Sequence, residues 1–82
     1  MITWTSFSEL SPAKKVKTIY EMGNFIVAIR YYKYKVNLYQ LGDEFIEVFI
    51  DHKTSTIEKI MKLDTAHSRM HFYCDQIKIE LF

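Results

Sequence analysis

His67, His71 and Cys74 form the sharpest chemical constellation in the chain. At helical spacing, positions i, i+4 and i+7 lie along one side, so two imidazoles and a thiolate could converge on a zinc-like cation. Asp75, four residues beyond His71, could join them or orient that ring. The set departs from known ligand patterns. It has no HExxH, no CxxC and no fourth ligand at a familiar separation. In a strand, Cys74 would point away from both histidines. On a helix, Cys74 also fits the apolar stripe as an ordinary core residue. Surface histidines beside a buried cysteine are therefore the expected state, and no cofactor is expected. A small metal-binding or catalytic site at His67, His71 and Cys74 stands as an alternative.

Asp43, Glu44, Glu47 and Asp51 make the richest acidic run. Glu47 and Asp51 share a face at strand spacing, interleaved with Phe45 and Phe49. Two carboxylates make a hydrolytic pair only if one is pushed to hold a proton, and nothing in the sequence supplies that push. The simpler reading is a solvated outer row facing lysines on a neighbouring strand. Ser68 sits in no nucleophile elbow. Gly23 and Gly42 are isolated, so no cradle of successive glycine amides exists for a phosphate. The expectation is a protein without enzymatic activity.

The third candidate is RYYKYK, residues 30–35. Aromatic rings among positive charges can hold single-stranded nucleic acid. Arg30, Lys33 and Lys35 with Tyr31, Tyr32 and Tyr34 have that chemistry, and Lys14, Lys15 and Lys17 could extend it. Strand alternation argues otherwise: Arg30, Tyr32 and Tyr34 should face one way, and Tyr31, Lys33 and Lys35 the other. Tyrosines on a half-exposed sheet pack their rings and leave the hydroxyl wet, with lysine and arginine stems covering neighbouring apolar surface. No KGFGFVxF pattern, GxxG clamp or finger spacing is present. Net charge is only +1, whereas strong backbone binders need many phosphate contacts. Nucleic-acid binding through these residues is the second alternative.

The elements that must position these residues follow from period and punctuation. Met1–Phe7 reads as an irregular or short extended lead, with Ile2, Trp4 and Phe7 as plugs. SELSPAKKVKTIYEMG reads as a helix: Ser11 caps free amides, and Pro12 fits the first turn. A start capped by Ser6 would put Pro12 in the second turn, so the later start is preferred. Ala13, Val16, Ile19 and Tyr20 make one apolar stripe, and Gly23 should end the helix by turning left-handed. Four strands follow: FIVAIRYY; KVNLYQL, with Lys33 and Tyr34 near the preceding turn; EFIEVFID after the Gly42-Asp43 turn; and Thr56–Leu63. Short links argue for an antiparallel meander. Ala66, Met70, Tyr73, Cys74, Ile77 and Leu81 follow a helical rhythm, although QIKIELF alternates like a strand. The expectation is a helix over Ala66–Gln76 and an extended tail.

The resulting fold class is α+β: an N-terminal helix packed on a four-stranded antiparallel meander, with a short C-terminal helix, as a single small domain over residues 1–82. A chain of 82 residues buries roughly 60–65% of its unfolded surface, enough for one modest core. The first 41 residues carry a net +4 and the rest −3. Interleaving strands should largely cancel that asymmetry. One cysteine excludes an intrachain disulfide, and the longest unbroken apolar run, Phe25–Ile29, is far short of a membrane span. The cytoplasm is the expected compartment, and no membrane partner is expected.

Ile26, Ala28, Val36, Leu38, Ile46, Val48, Ile50 and Ile60 are expected on one sheet face, under Val16, Ile19 and Tyr20. Phe25, Val27, Ile29, Tyr31, Tyr39, Phe45, Phe49, Ile57 and Met61 are expected on the other. That second face is too apolar to stay wet, at about 1.5–3 kcal/mol per fully buried side chain in a domain of about 5 kcal/mol net stability. Self-association is the expected outcome, through Tyr31, Tyr39, Phe45 and Phe49, with Arg30, Lys33, Glu47 and Asp51 at the rim setting register.

Overall fold

A computed structural model describes residues 3–64, 66 and 70–77, with side chains described no further than Cys74 at that end. The order is α1 (Trp4–Ser8), α2 (Pro12–Met22), β1 (Asn24–Tyr31), β2 (Tyr34–Leu41), β3 (Glu44–Asp51), β4 (Ile57–Lys62) and α3 (Met70–Ile77). The strands form an antiparallel sheet in the order β1-β2-β3-β4. This is the α+β architecture expected. The expected tail after Gln76, beyond Ile77, lies outside the described residues, as does Ile2.

The start of α2 is built as the residues dictate. Ser11 Oγ accepts the Lys14 N–H at 3.3 Å, and Pro12 occupies the first turn. The lead differs from expectation, because Trp4–Ser8 winds into a short helix. Thr3 Oγ1 accepts the Ser6 N–H at 3.2 Å, and the Phe7 N–H reaches the Thr3 carbonyl at 3.0 Å. Phe7 and Trp4 still act as plugs, with Phe7 buried. Gly23 ends α2, but not by a left-handed turn: its φ is −83° and ψ 153°. Glycine is required there by crowding, since a Cβ would stand 2.6 Å from the Ile19 carbonyl oxygen.

Turn length decides the faces. Tyr31 opposes Tyr34 across a two-residue link, and Leu41 opposes Glu44 across Gly42-Asp43. Directly opposed residues share a face. Tyr39 therefore lies beside Ile46, Asn37 beside Val48, Val36 beside Phe49 and Leu38 beside Glu47. The expected grouping had β2 reversed: Val36 and Leu38 belong with Phe49, and Tyr39 belongs with Ile46 and Val48. A one-residue error in turn placement turns every side chain of a strand over. Bulges at Phe25/Val27 and Phe49/Ile50 add local reversals in the outer strands.

The sheet thus separates two cores. Phe7 and Ile19 meet Tyr39, Leu41, Ile46 and Val48 on the α2 face. Tyr73 of α3 meets Ile29, Val36, Leu38 and Phe49 on the other.

Candidate functional site

The hairpin tip between β1 and β2 answers whether RYYKYK is a platform. Arg30 is directly opposite Lys35, and Tyr31 opposite Tyr34. The expected alternation through residues 30–35 therefore breaks at the turn: Arg30 and Lys35 share the α2 face, while Tyr31 and Tyr34 share the α3 face. The set does not form one surface. Lys33 is also engaged. Its Nζ lies 3.6 Å from Glu58 Oε1 and 3.8 Å from Asp51 Oδ2. Glu58 in particular raises the Lys33 ammonium above its ordinary pKa. The Tyr34 hydroxyl donates to Glu58 Oε1 at 3.2 Å. Lys59 Nζ stands 4.7 Å from the Phe49 ring centroid and 5.6 Å from that of Tyr34, within cation–π range.

Asp51 is held at the end of β3. Its Oδ1 accepts the Lys53 N–H at 2.8 Å and the Thr54 N–H at 3.1 Å. Those backbone donors, led by Thr54, lower its carboxyl pKa. Asp51 thus shapes the β3–β4 turn as well as meeting Lys33.

Glu47 is not an outer rim residue, as expected, but is fully buried. It projects from the centre of β3 on the α3 face, and its Oε2 accepts the Tyr73 hydroxyl hydrogen at 2.7 Å. Phe49 is buried beside it. Tyr39 is buried on the opposite face, where desolvation chiefly raises its phenol pKa. Tyr31, Tyr39, Phe45 and Phe49 are therefore not one exposed cluster. Of the four, Phe45 is the one with large exposure, at 40%.

The exposed aromatic residues gather elsewhere, in two groups tied to β1. On the α2 face, the rings of Tyr20 and Phe25 lie 6.2 and 5.6 Å from that of Tyr39. Tyr20 and Phe25 are 60% and 56% exposed. On the α3 face, Tyr31 touches Tyr32 at 4.6 Å and Phe72 at 5.5 Å, centroid to centroid. Tyr32 is 82% exposed and holds φ 55°. A bulky side chain there occupies a conformation usually left to glycine or asparagine. Tyr20 and Phe72 were absent from the sites read in the sequence, and Tyr32 entered only the nucleic-acid reading, not the self-association surface. A literal two-residue turn at Tyr32-Lys33 would have placed Tyr32 at the tip, but neither residue type signals such a turn.

A cleft of about 390 Å³ also opens between α2 and β4. Pro12, Ala13, Val16, Ile57 and Ile60 supply its apolar wall, and Lys15 borders it.

His71 and Cys74 are both exposed on α3, whereas Cys74 was expected in the core. His67 lies outside the described residues, as does the Asp75 side chain. Among the described residues, no group of three histidine, cysteine, aspartate or glutamate side chains could hold a metal ion. No helix among them is long and apolar enough to cross a membrane. Comparison with known proteins finds no family model that matches the chain, no similar curated protein and no similar solved structure. The exposed aromatic residues along the sheet are consistent with a protein-interaction surface.

Proposed function

We propose that this chain is a non-enzymatic protein-interaction or assembly module that self-associates through its exposed aromatic residues. One observation carries the reading: large aromatic side chains stand exposed on both faces beside the same outer strand, β1. Interface anchors are characteristically tyrosine, tryptophan, phenylalanine and arginine. Phe25, Tyr20 and Tyr32 fit that role, and Arg30 and Phe45 lie exposed nearby or on the same sheet. Tyr39 and Phe49 support the surface from beneath. Lys33 and Asp51 hold the hairpin tip in place. No cofactor takes part, and the cytoplasm suits a free, uncombined cysteine thiol.

The test is solution mass as a function of concentration, repeated for Phe25→Asp and Tyr32→Asp. Both positions are exposed, so each variant should keep the fold while shifting the equilibrium toward monomer. Phe49→Asp would instead test folding, because Phe49 is buried. A wild-type chain that stays monomeric at high concentration removes the reading.

Nucleic-acid binding keeps one observation in its favour: Arg30 and Lys35 are exposed, opposed and without an ion pair among the described residues. Such binding would weaken steeply with added salt, and Lys35→Ala would flatten that slope. Salt-independent association would leave the protein interface standing.

A further inference from the structure

We infer that β1 pairs antiparallel with β1 of a second copy, centred on Ala28, so that two four-stranded sheets join into one. This rests on the self-association reading above and names the strand and register by which it occurs.

The two outer strands differ in the features that invite or discourage pairing. Among the described residues, β1 and β4 both end the sheet. β4 is six residues long and carries Glu58, Lys59 and Lys62. Charged side chains, lysine above all, protect an outer strand from adding another. β1 is eight residues long, NFIVAIRY, with no proline, no lysine and one charge, Arg30. Its exposed aromatic flanks lie on both sides, so a strand added there would bury Phe25 on one face and meet Tyr31 with Phe72 on the other.

Register follows from the bulge. Between Phe25 and Val27 the strand takes one extra residue, so Phe25 pairs with Tyr39 and Val27 with Leu38. Seven positions of β1 find partners on β2: Asn24, Phe25, Val27, Ala28, Ile29, Arg30 and Tyr31. Ala28 is the middle one. A two-fold antiparallel pairing that uses them all places Ala28 against Ala28 and Val27 against Ile29. It also places Phe25 against Arg30, twice by symmetry. Every such pair lies on a common face, as paired strands require. Without the bulge, Phe25 and Arg30 would fall on opposite faces.

That register also answers the charge problem on β1. Arg30 and Lys35 are directly opposed, and like charges so placed repel. In the pairing centred on Ala28, the Arg30 guanidinium of one copy meets the Phe25 ring of the other, a favourable cation–π contact. The two Arg30 side chains lie at opposite ends of the new seam and do not meet. A small residue at the centre lets the two strands approach without a clash on the α2 face.

The experiment uses the full chain with Cys74→Ser, so that the exposed native thiol cannot interfere. Ala28→Cys and, separately, Lys59→Cys are added and the proteins are oxidised mildly. Opposed residues of paired antiparallel strands lie about 4.5–5.5 Å apart at Cα, within disulfide range. The expected result is a covalent dimer for Ala28→Cys and little or none for Lys59→Cys. In parallel, amide hydrogen exchange on the unaltered chain should show β1 amides gaining protection as concentration rises, which covers the case of a variant that fails to fold. A concentration-dependent dimer with no Ala28 disulfide and no added β1 protection overturns the pairing while leaving self-association intact. A monomer throughout overturns both. β1 amides protected at concentrations where solution mass shows only monomer would mean that edge is occupied within one chain, and would also overturn the pairing.

Discussion

The two faces of the sheet are closed by different chemistry. Under α1 and α2, Phe7 and Ile19 pack on Ile46, Val48 and Leu41, with Tyr39 as the one polar-tipped member. Under α3, Tyr73 packs on Ile29, Leu38 and Phe49 and also hydrogen-bonds the buried carboxyl of Glu47. Hydrocarbon packing is non-directional and tolerates substitution of similar volume. A buried hydrogen bond to a carboxyl oxygen is directional, and breaking it leaves a group that has lost its water. The first face should hold its helices by amount of contact. The second should hold α3 in one position, which in turn fixes Phe72 against Tyr31 at the proposed surface.

Truncation on the hydrocarbon face should give the largest effect. Phe7→Ala removes a buried ring and should cost about 3–5 kcal/mol, measured by urea denaturation. Phe7→Leu should cost much less if that face is governed by volume alone. A Phe7→Leu loss as large as that of Phe7→Ala would break the comparison.

Tyr73→Phe keeps the ring and deletes one oxygen. It should nevertheless cost about 1–3 kcal/mol, the range for stripping a partner from a buried polar group. Combined with Glu47→Gln, the losses should be clearly non-additive, since the two groups touch. Additive losses would mean that the 2.7 Å contact contributes nothing specific, and the two faces would differ only in composition.

The smallest effect concerns pH. The folded Asp51 carboxyl has a lowered pKa, through the Thr54 and Lys53 amides first and Lys33 less. A lowered folded pKa contributes stability that is fully present above the unfolded value, about 3.9, and is lost as pH falls through the folded value. Asp51→Asn should therefore flatten the decline of stability below about pH 4, seen as converging urea midpoints of variant and wild type in acid. Lys33 behaves oppositely. Its raised folded pKa contributes below the unfolded value, about 10.4, and that contribution disappears as pH rises through the folded value. Unchanged acid sensitivity in Asp51→Asn would show that the turn holds without its carboxylate.

The elements themselves were largely legible. Ser11-Pro12 marks a helix start in any context, and Gly42-Asp43 marks a turn, because both act through local backbone geometry. The strands from Asn24 to Lys62 follow from β-branched and aromatic alternation. The candidate site was legible only in kind: aromatic residues in excess of one small core. Its membership was not. Phe49 and Tyr39 were expected together because each alternates correctly within its own strand, but alternation does not say which side of a neighbour it matches. Glu47 carried a signal that could have been read, a lone acid between Phe45 and Phe49 on one face, which calls for a buried donor. Tyr73, 26 residues away along the chain, is a donor that no local pattern could assign.

What the amino-acid order determined by itself was the succession of helix and strands, since period, capping and turn chemistry are properties of neighbouring residues. Which side of the sheet each residue took was decided by the assembled structure, through two-residue links at Tyr32-Lys33 and Gly42-Asp43 and bulges in β1 and β4. The physical reason is the two-residue period of a strand. A shift of one position leaves the strand intact and exchanges its buried side for its wet one.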